Sequence, residues 1–449
     1  MNIKKNYMNI KPLIVQLSLF AVACSAYSQD SYDYVWSGTS TGDFKWTTSS
    51  NWSPNGVPSS GDSVYITSTA ENGLGENNLD LGGDVYVGDV TWVLASDTQK
   101  LYTGGTLNAE NFTADFGLKG FYQFCVGSRL NVSKSDGTGK LLIHNSSKLD
   151  ILGAKFIVNA AITADNIELA AANAWNGEES YMNISIGWNG GGSAEKPIIK
   201  VLNEFKIAQG STFDSESANT YVSFGGINGA GTFKPGDKKL YMTLTGSGSY
   251  EFSGVSSVTE GGGIIVTSAS SGVQKFVNSG FNLAGVNMQS GRLEIAGSAG
   301  DVALSGGTIS SIENGSADDV LMMDSLTWSG GKIALDLDGE YADTVLISGN
   351  FSTTGSGELV FDLNFDEIVM RDLIEGSEDK KYTYDLISVG GTSGIANTNF
   401  VFEDDYGTFS YDFENGMLTI SLNPIPEPAA IAAILGAIAL GVAARRRRK

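Results

Sequence analysis

The amino-acid sequence predicts an all-β protein: an elongated right-handed β-solenoid (β-helix) with an N-terminal and a C-terminal β cap, followed by a C-terminal transmembrane helix. Three observations lead to this prediction. Short apolar segments recur along most of the chain, separated by Gly, Asn, Asp and Ser. The 449 residues include 57 glycines and only 8 prolines, which favours many short strands and tight turns. The chain ends in a charge-free apolar run followed directly by basic residues.

Residues 1–28 are predicted to be a secretory signal peptide. Lys4, Lys5 and Lys11 form a basic region, an apolar stretch follows, and 26–28 is a suitable cleavage site before Gln29. Residues 21–24 also fit a lipoprotein box, but poorly, because Ala21 occupies a position where a larger aliphatic residue is usual. We therefore prefer removal of Cys24 with the signal peptide.

Residues 29–74 are predicted to form an N-terminal cap. Trp36, Trp46 and Trp52 lie within seventeen residues and can together bury a large apolar area. A stack of strands needs a bulky cap, because an open end would pair with other chains. The preferred interpretation is that these tryptophans form the core of the cap; the alternative is that they stack on sugars.

Residues 75–325 are predicted to be the solenoid. Apolar segments such as 84–87, 140–143, 155–158, 198–202 and 263–266 alternate with turn residues, and in the later part a glycine followed by a strand recurs roughly every 15–25 residues. Stacked rungs explain the pattern, because each rung buries its inner face only against its neighbours. An antiparallel β-sandwich is the alternative, since short strands with turns fit it too.

Residues 326–423 are predicted to form a C-terminal β-rich unit with longer strands. The segment 418–422 alternates apolar and polar residues, as a half-buried strand does. Only 366–373 has a helical pattern in this region.

Residues 424–449 are predicted to be a sorting signal and membrane span. The motif Pro426, Glu427, Pro428 is followed by sixteen residues, 429–444, without a charge. That run reaches about 24 Å as a helix, against roughly 30 Å for a hydrocarbon core, and thinning of the bilayer and snorkelling of the arginines can absorb the difference. The chain then ends in a membrane stop cluster of five cations: Arg445, Arg446, Arg447, Arg448 and Lys449.

This arrangement of tripeptide, apolar span and arginine run closely resembles the PEP-CTERM sorting signal of Gram-negative envelope proteins. The resemblance implies export, transient anchoring in the inner membrane and processing by an exosortase, a transpeptidase-like membrane enzyme. It covers about a twentieth of the chain. The glycine-strand segments resemble autotransporter-associated β-strand repeats over about half of the chain.

Composition restricts the function. Of 28 basic residues, three lie in the leader and five in the tail; of 50 acidic residues only Glu427 lies in the tail, so residues 29–423 carry a net charge of −29. This argues against nucleic acid as a partner, because its binding depends on Lys and Arg contacts to phosphate. Without Cys24, Cys125 is the only cysteine, which excludes an intramolecular disulfide.

Candidate catalytic and metal-binding residues are few. His144 is the only histidine and is expected to be a polar residue at the end of a strand. Paired carboxylates on a β-helix face are the better catalytic alternative. Residues 336–340 and 403–407 could supply oxygen ligands to Ca²⁺, but they lack the spacing of known calcium loops, and we prefer solvated acidic turns. No cofactor is therefore predicted.

The sequence predicts a non-enzymatic, exported protein of the cell envelope or extracellular matrix. Its expected role is structural, adhesive or associated with exopolysaccharide at the cell surface, and polysaccharide is its candidate ligand. The alternative is a secreted carbohydrate-active enzyme, a glycoside hydrolase or polysaccharide lyase, on the same scaffold.

Overall fold

A computed structural model describes residues 31–37, 44–67, 78–94, 98–102, 104–116, 121–144, 153–170, 182–186, 192–312, 318–354, 359–366, 369, 371, 382–394, 400–402, 407–414 and 417–424. The predicted signal peptide, the sorting motif, the C-terminal span with its basic cluster, and residues 403–406 lie outside these ranges. In the described part of the chain, no helix has the length and apolar character needed to cross a membrane.

The fold is nearly all β, with long parallel sheets. The first strands are β1 (Tyr34–Trp36), β2 (Trp52–Ser53), β3 (Val64–Thr67), β4 (Asn78–Asp80), β5 (Val85–Val93), β6 (Thr98–Tyr102), β7 (Thr106–Asp115), β8 (Phe121–Val126), β9 (Arg129–Val132), β10 (Lys140–His144) and β11 (Gly153–Val158). They are followed by β12 (Ile162–Ala164), β13 (Asn166–Leu169), β14 (Met182–Ile186), β15 (Ile199–Ile207), β16 (Ser211–Asp214), β17 (Thr220–Gly229), β18 (Thr232–Gly236), β19 (Lys239–Leu244), β20 (Ser249–Phe252), β21 (Val255–Val258) and β22 (Gly263–Phe276). The last are β23 (Gly285–Ile295), β24 (Asp301–Ser310), β25 (Val320–Met323), β26 (Ser325–Leu337), β27 (Thr344–Ile347), β28 (Phe351–Thr353), β29 (Leu359–Phe365), β30 (Tyr382–Val389), β31 (Phe400–Phe402), β32 (Gly407–Glu414) and β33 (Met417–Pro424). A 3-10 helix spans Ser49–Asn51, and of the predicted helix 366–373 the described Val369 and Arg371 are helical.

The chain divides into two compact units, one formed by Met1–Met242 with Ser256–Gly262 and the other by Thr243–Val255 with Gly263–Lys449.

In the first unit the chain visits three parallel sheet faces in a repeating order. The first halves of β5, β7, β15 and β17 pair with β9 and β12 to form the first face. Their second halves pair with β10 and β13 to form the second face. The third face is a separate sheet that includes β6, β8, β11, β14, β16 and β18. A chain that returns to the same faces in this way is consistent with a β-helix.

The interior of the first unit is filled by the inward residues of these strands. Phe205 and Phe224, on neighbouring strands, stack with ring centroids 4.6 Å apart. Phe124 packs on Phe156 at a centroid distance of 5.3 Å, with the two rings tilted by 35°. All four rings are buried, so each circuit of the chain covers the apolar residues of the previous one.

In the second unit the strands β22, β23, β24, β26 and β29 form consecutive parallel pairs. Ile265 pairs with Gly285, Gly285 with Asp301, and Asp301 with Ser325, so the repeat lengths are 20, 16 and 24 residues. These lengths agree with the spacing predicted for the later part of the chain. Inside the long strands the register shifts at Ser-Gly segments.

The pairing direction excludes the alternative of an antiparallel β-sandwich. Among the strand pairs whose register is described, only β1–β2, β30–β33 and β32–β33 are antiparallel. Every other such pair is parallel, which a sandwich of hairpins cannot give.

The three N-terminal tryptophans lie in the core. Trp36, Trp46 and Trp52 are at most 2% exposed, and Trp52 contacts both of the others edge-on at centroid distances of 4.9 and 4.7 Å. The sugar-stacking alternative is therefore wrong for these residues, because a buried indole offers no face to a ligand.

Candidate functional site

One row of outward residues on the first unit contains no carboxylate. It crosses six neighbouring parallel strands, β5, β7, β9, β12, β15 and β17, with one residue from each. Its members, in register, are Tyr86, Asn108, Asn131, Thr163, Lys200 and Ser223. We call this set the acid-free row. Sequence reasoning did not find this row, because consecutive members are 22 to 37 residues apart along the chain. Only the register of the paired strands brings them into line.

The acid-free row offers a ring face and hydrogen-bonding groups at the surface. Tyr86 is 58% exposed. Asn131 Nδ2 donates to Asn108 Oδ1 at 3.1 Å, and Asn108 Nδ2 donates to the Val85 carbonyl oxygen at 3.1 Å. Within the described residues, the side-chain oxygen of Asn131 accepts no hydrogen bond. Parallel strands are about 4.8 Å apart, so these groups form a regular ladder.

Residues beside the row add a cation and aromatic rings. Arg129 is exposed two residues before Asn131, and Tyr221 lies two residues before Ser223. The ring of Tyr221 stacks on that of Tyr241 at 4.4 Å with an interplanar angle of 8°. Two exposed acidic residues also lie two residues from the row: Asp84, directly before β5, and Glu110 on β7. Asp84 Oδ1 accepts the backbone N–H of Thr106 at 2.8 Å.

The second face of the same unit carries two lysines that are paired with one carboxylate. Glu168 lies between two lysines, with Lys140 Nζ at 2.8 Å and Lys206 Nζ at 3.2 Å. Hydrogen bonding from Lys140, and secondarily from Lys206, holds the pKa of Glu168 below its ordinary value. We call Lys140, Glu168 and Lys206 the ionic row. Since both of its lysines have an ion-pair partner, it serves as a matched control for the acid-free row.

His144 ends β10, as the sequence predicts. Its Nε2 lies 4.0 Å from Oδ2 of Asp115, and the Asp115 carboxylate is buried. The imidazole is one-fifth exposed, at the end of a strand that pairs with β7 on one side and β13 on the other. This position fits a polar residue at a strand end.

The acidic turn at 336–340 in the second unit uses its carboxylates locally. Asp338 Oδ1 accepts the backbone N–H groups of Glu340 and Tyr341 at 2.7 and 2.6 Å. Asp336 Oδ1 accepts Asn364 Nδ2 at 3.0 Å. Among the described residues, no group of three or more His, Cys, Asp or Glu side chains is arranged to hold a metal ion. The predicted turn at 403–407 is described only at Gly407.

Asp343 is a buried carboxylate that sequence reasoning missed. Its oxygens accept Ser311 Oγ at 2.6 Å and the backbone N–H groups of Asp319 and Asp336 at 3.0 and 3.2 Å. Burial raises the pKa of Asp343 to about 6. With three donors from its own unit and 1% exposure, this side chain fixes the loop around it and has no opening toward a substrate.

Comparisons with known proteins identify no relative: no protein-family model matches the chain, and no curated protein gives a significant match.

Proposed function

We propose that the protein is an exported component of the cell envelope or extracellular matrix, and that it associates with polysaccharide through the acid-free row. In this proposal the stacked parallel strands belong to a right-handed β-solenoid that acts as a rigid scaffold. The observation that carries the proposal is the acid-free row itself, with its exposed tyrosine, amide ladder and neighbouring arginine.

The chemistry of the row suits a glycan. Sugars present hydroxyl groups for hydrogen bonds and flat C–H faces for aromatic rings, and Asn131 and Tyr86 offer the complementary groups. A rigid sheet holds these groups in place before binding, which reduces the entropy lost on association. A ladder with a fixed spacing of about 4.8 Å also suits an extended ligand made of similar units.

We propose a non-enzymatic role. Three of the described carboxylates are engaged in the fold: Glu168 with two lysines, Asp338 with its own turn, and Asp343 with three donors. Glycoside hydrolysis needs two carboxyl groups facing one bound sugar. The secreted carbohydrate-active enzyme therefore has no observation in its favour among the described residues.

The binding proposal is tested with the full-length chain, purified in mild detergent, on an array of bacterial and plant polysaccharides. We expect retention of at least one polysaccharide class. Binding to none of them would contradict the proposal.

We further propose that the C-terminal motif directs sorting: an exosortase-type enzyme recognises Pro426, Glu427 and Pro428 while the apolar span anchors the chain. The variant Glu427→Ala should keep residues 445–449, whereas the natural chain should lose them. Mass spectrometry of the mature C-terminus from fractionated cells measures this directly. If the natural chain also retains Lys449, the C-terminus is a permanent anchor and the sorting proposal is wrong.

A further inference from the structure

Two cations beside and within the acid-free row make no ion pair with any described residue. Lys200 belongs to the row on β15, and Arg129 lies beside it on β9; both side chains are exposed. On the second face, by contrast, Lys140 and Lys206 are both paired with Glu168. The first face therefore keeps uncompensated positive charge, although acidic residues greatly outnumber basic ones in the whole chain.

We infer that the acid-free row binds an acidic glycan, and that Lys200 and Arg129 are the receptors for its carboxylate groups. This inference rests on the proposed function and names the class of its ligand. Lys200 and Arg129 are exposed donors for carboxylates, and a charge-assisted hydrogen bond is about twice as strong as a neutral one. Asn131 and Tyr86 would contact the hydroxyl groups and a ring face of the same chain.

The positions of the two cations fit a regular polyanion. The strands β9 and β15 are separated by β12, and Arg129 is offset by two residues from Asn131, the register partner of Lys200 through Thr163, so the two side chains arise about 12 Å apart. In an extended glycan, carboxylates on every second sugar are separated by a comparable length. The ligand would therefore cross the strands obliquely, from Arg129 beside the row to Lys200 within it.

The net charge of the chain does not prevent this binding. Interactions between exposed charges are screened beyond about 8–10 Å at physiological ionic strength, so a bound polyanion responds mainly to nearby groups. The row itself is neutral or positive, and the exposed carboxylates two residues from it, Asp84 and Glu110, lie beside Tyr86 and Asn108 rather than beside Lys200. Elsewhere the same polyanion meets carboxylates, so the charge pattern directs it to this face.

The test compares oligogalacturonates with neutral cello-oligosaccharides of equal length, using the full chain in mild detergent and titration calorimetry. We expect Arg129→Gln and Lys200→Gln each to weaken oligogalacturonate binding about tenfold, and the double variant to weaken it further. Lys140→Gln and Lys206→Gln, in the ionic row, are the matched controls and should change the affinity less than about twofold. Thermal unfolding of each variant verifies that these exposed substitutions leave the fold intact.

Two outcomes would overturn the inference while leaving the proposed function standing. One is that neutral oligosaccharides bind and oligogalacturonates do not. The other is that oligogalacturonates bind equally well to the double variant and to the natural chain. If neither class binds, and the polysaccharide array is also negative, the proposed function fails together with the inference.

Discussion

Replacing Gly307 with alanine is expected to destabilise the second unit by about 3 kcal/mol or more. Gly307 has a φ of +69°, which side chains other than glycine rarely adopt. An added Cβ would lie 2.6 Å from the carbonyl oxygen of Gly291 and 2.7 Å from Met288 Cε. The backbone of the neighbouring strand cannot move away without breaking the parallel register. The strain of alanine at a positive φ and the steric overlap of its Cβ therefore both contribute to the loss of stability. Chemical denaturation followed by circular dichroism measures the loss.

Two other glycines distinguish the cost of the positive φ from the cost of steric overlap. Gly339 has no atom within 4 Å of an added Cβ and no left-handed φ, so Gly339→Ala should change stability by less than about 0.5 kcal/mol. Gly210 has a φ of +79° but also open space, so Gly210→Ala should show only the conformational cost of about 1 kcal/mol. If Gly307→Ala unfolds at the same denaturant concentration as the natural chain, the strands are not stacked as described.

Replacing Trp52 with alanine is expected to cost about 3–5 kcal/mol. Its ring is the centre of the tryptophan cluster and contacts both Trp36 and Trp46. Its Nε1 donates to the carbonyl oxygen of Trp46 at 2.8 Å, so the substitution also leaves a buried acceptor without a partner. The loss should appear as a lower unfolding midpoint for the first unit, monitored by tryptophan fluorescence.

The variant Trp52→Phe distinguishes packing from hydrogen bonding. Phenylalanine keeps an aromatic ring in the cluster but lacks the N–H donor, so it should cost about half as much as alanine. A sugar-stacking role would give the opposite pattern for Trp52→Ala, with normal stability and weakened glycan binding. That result would show that the cluster is not part of the core.

Much of the fold follows from local sequence patterns. The apolar segments predicted at 140–143, 155–158 and 263–266 all lie within strands, and the glycine-strand repeat of the later part has the predicted spacing. The burial of Trp36, Trp46 and Trp52 was also predictable, since three large rings so close together need a shared core. These features depend on residues that are near each other along the chain.

The remainder depends on register, which the sequence does not reveal. Asn131 pairs with Asn108 across 23 residues, but Lys200 pairs with Thr163 across 37, because loops of different length separate the strands. Without a constant period, neither the parallel direction nor the acid-free row can be read from the sequence. Asp343 was missed for a related reason: its donors come from three different segments, and an acidic residue beside a turn normally indicates solvent exposure.

The most direct test of the acid-free row as the binding surface is polysaccharide binding by the full-length chain and by two variants. Tyr86→Ala combined with Asn131→Ala removes the exposed ring and the open amide of the acid-free row, and Lys206→Gln alters the ionic row as a control. We predict that the natural chain and Lys206→Gln retain the same polysaccharide, and that the double variant loses at least tenfold in affinity while keeping its unfolding midpoint. Equal binding by the double variant and the natural chain would contradict the assignment of this face.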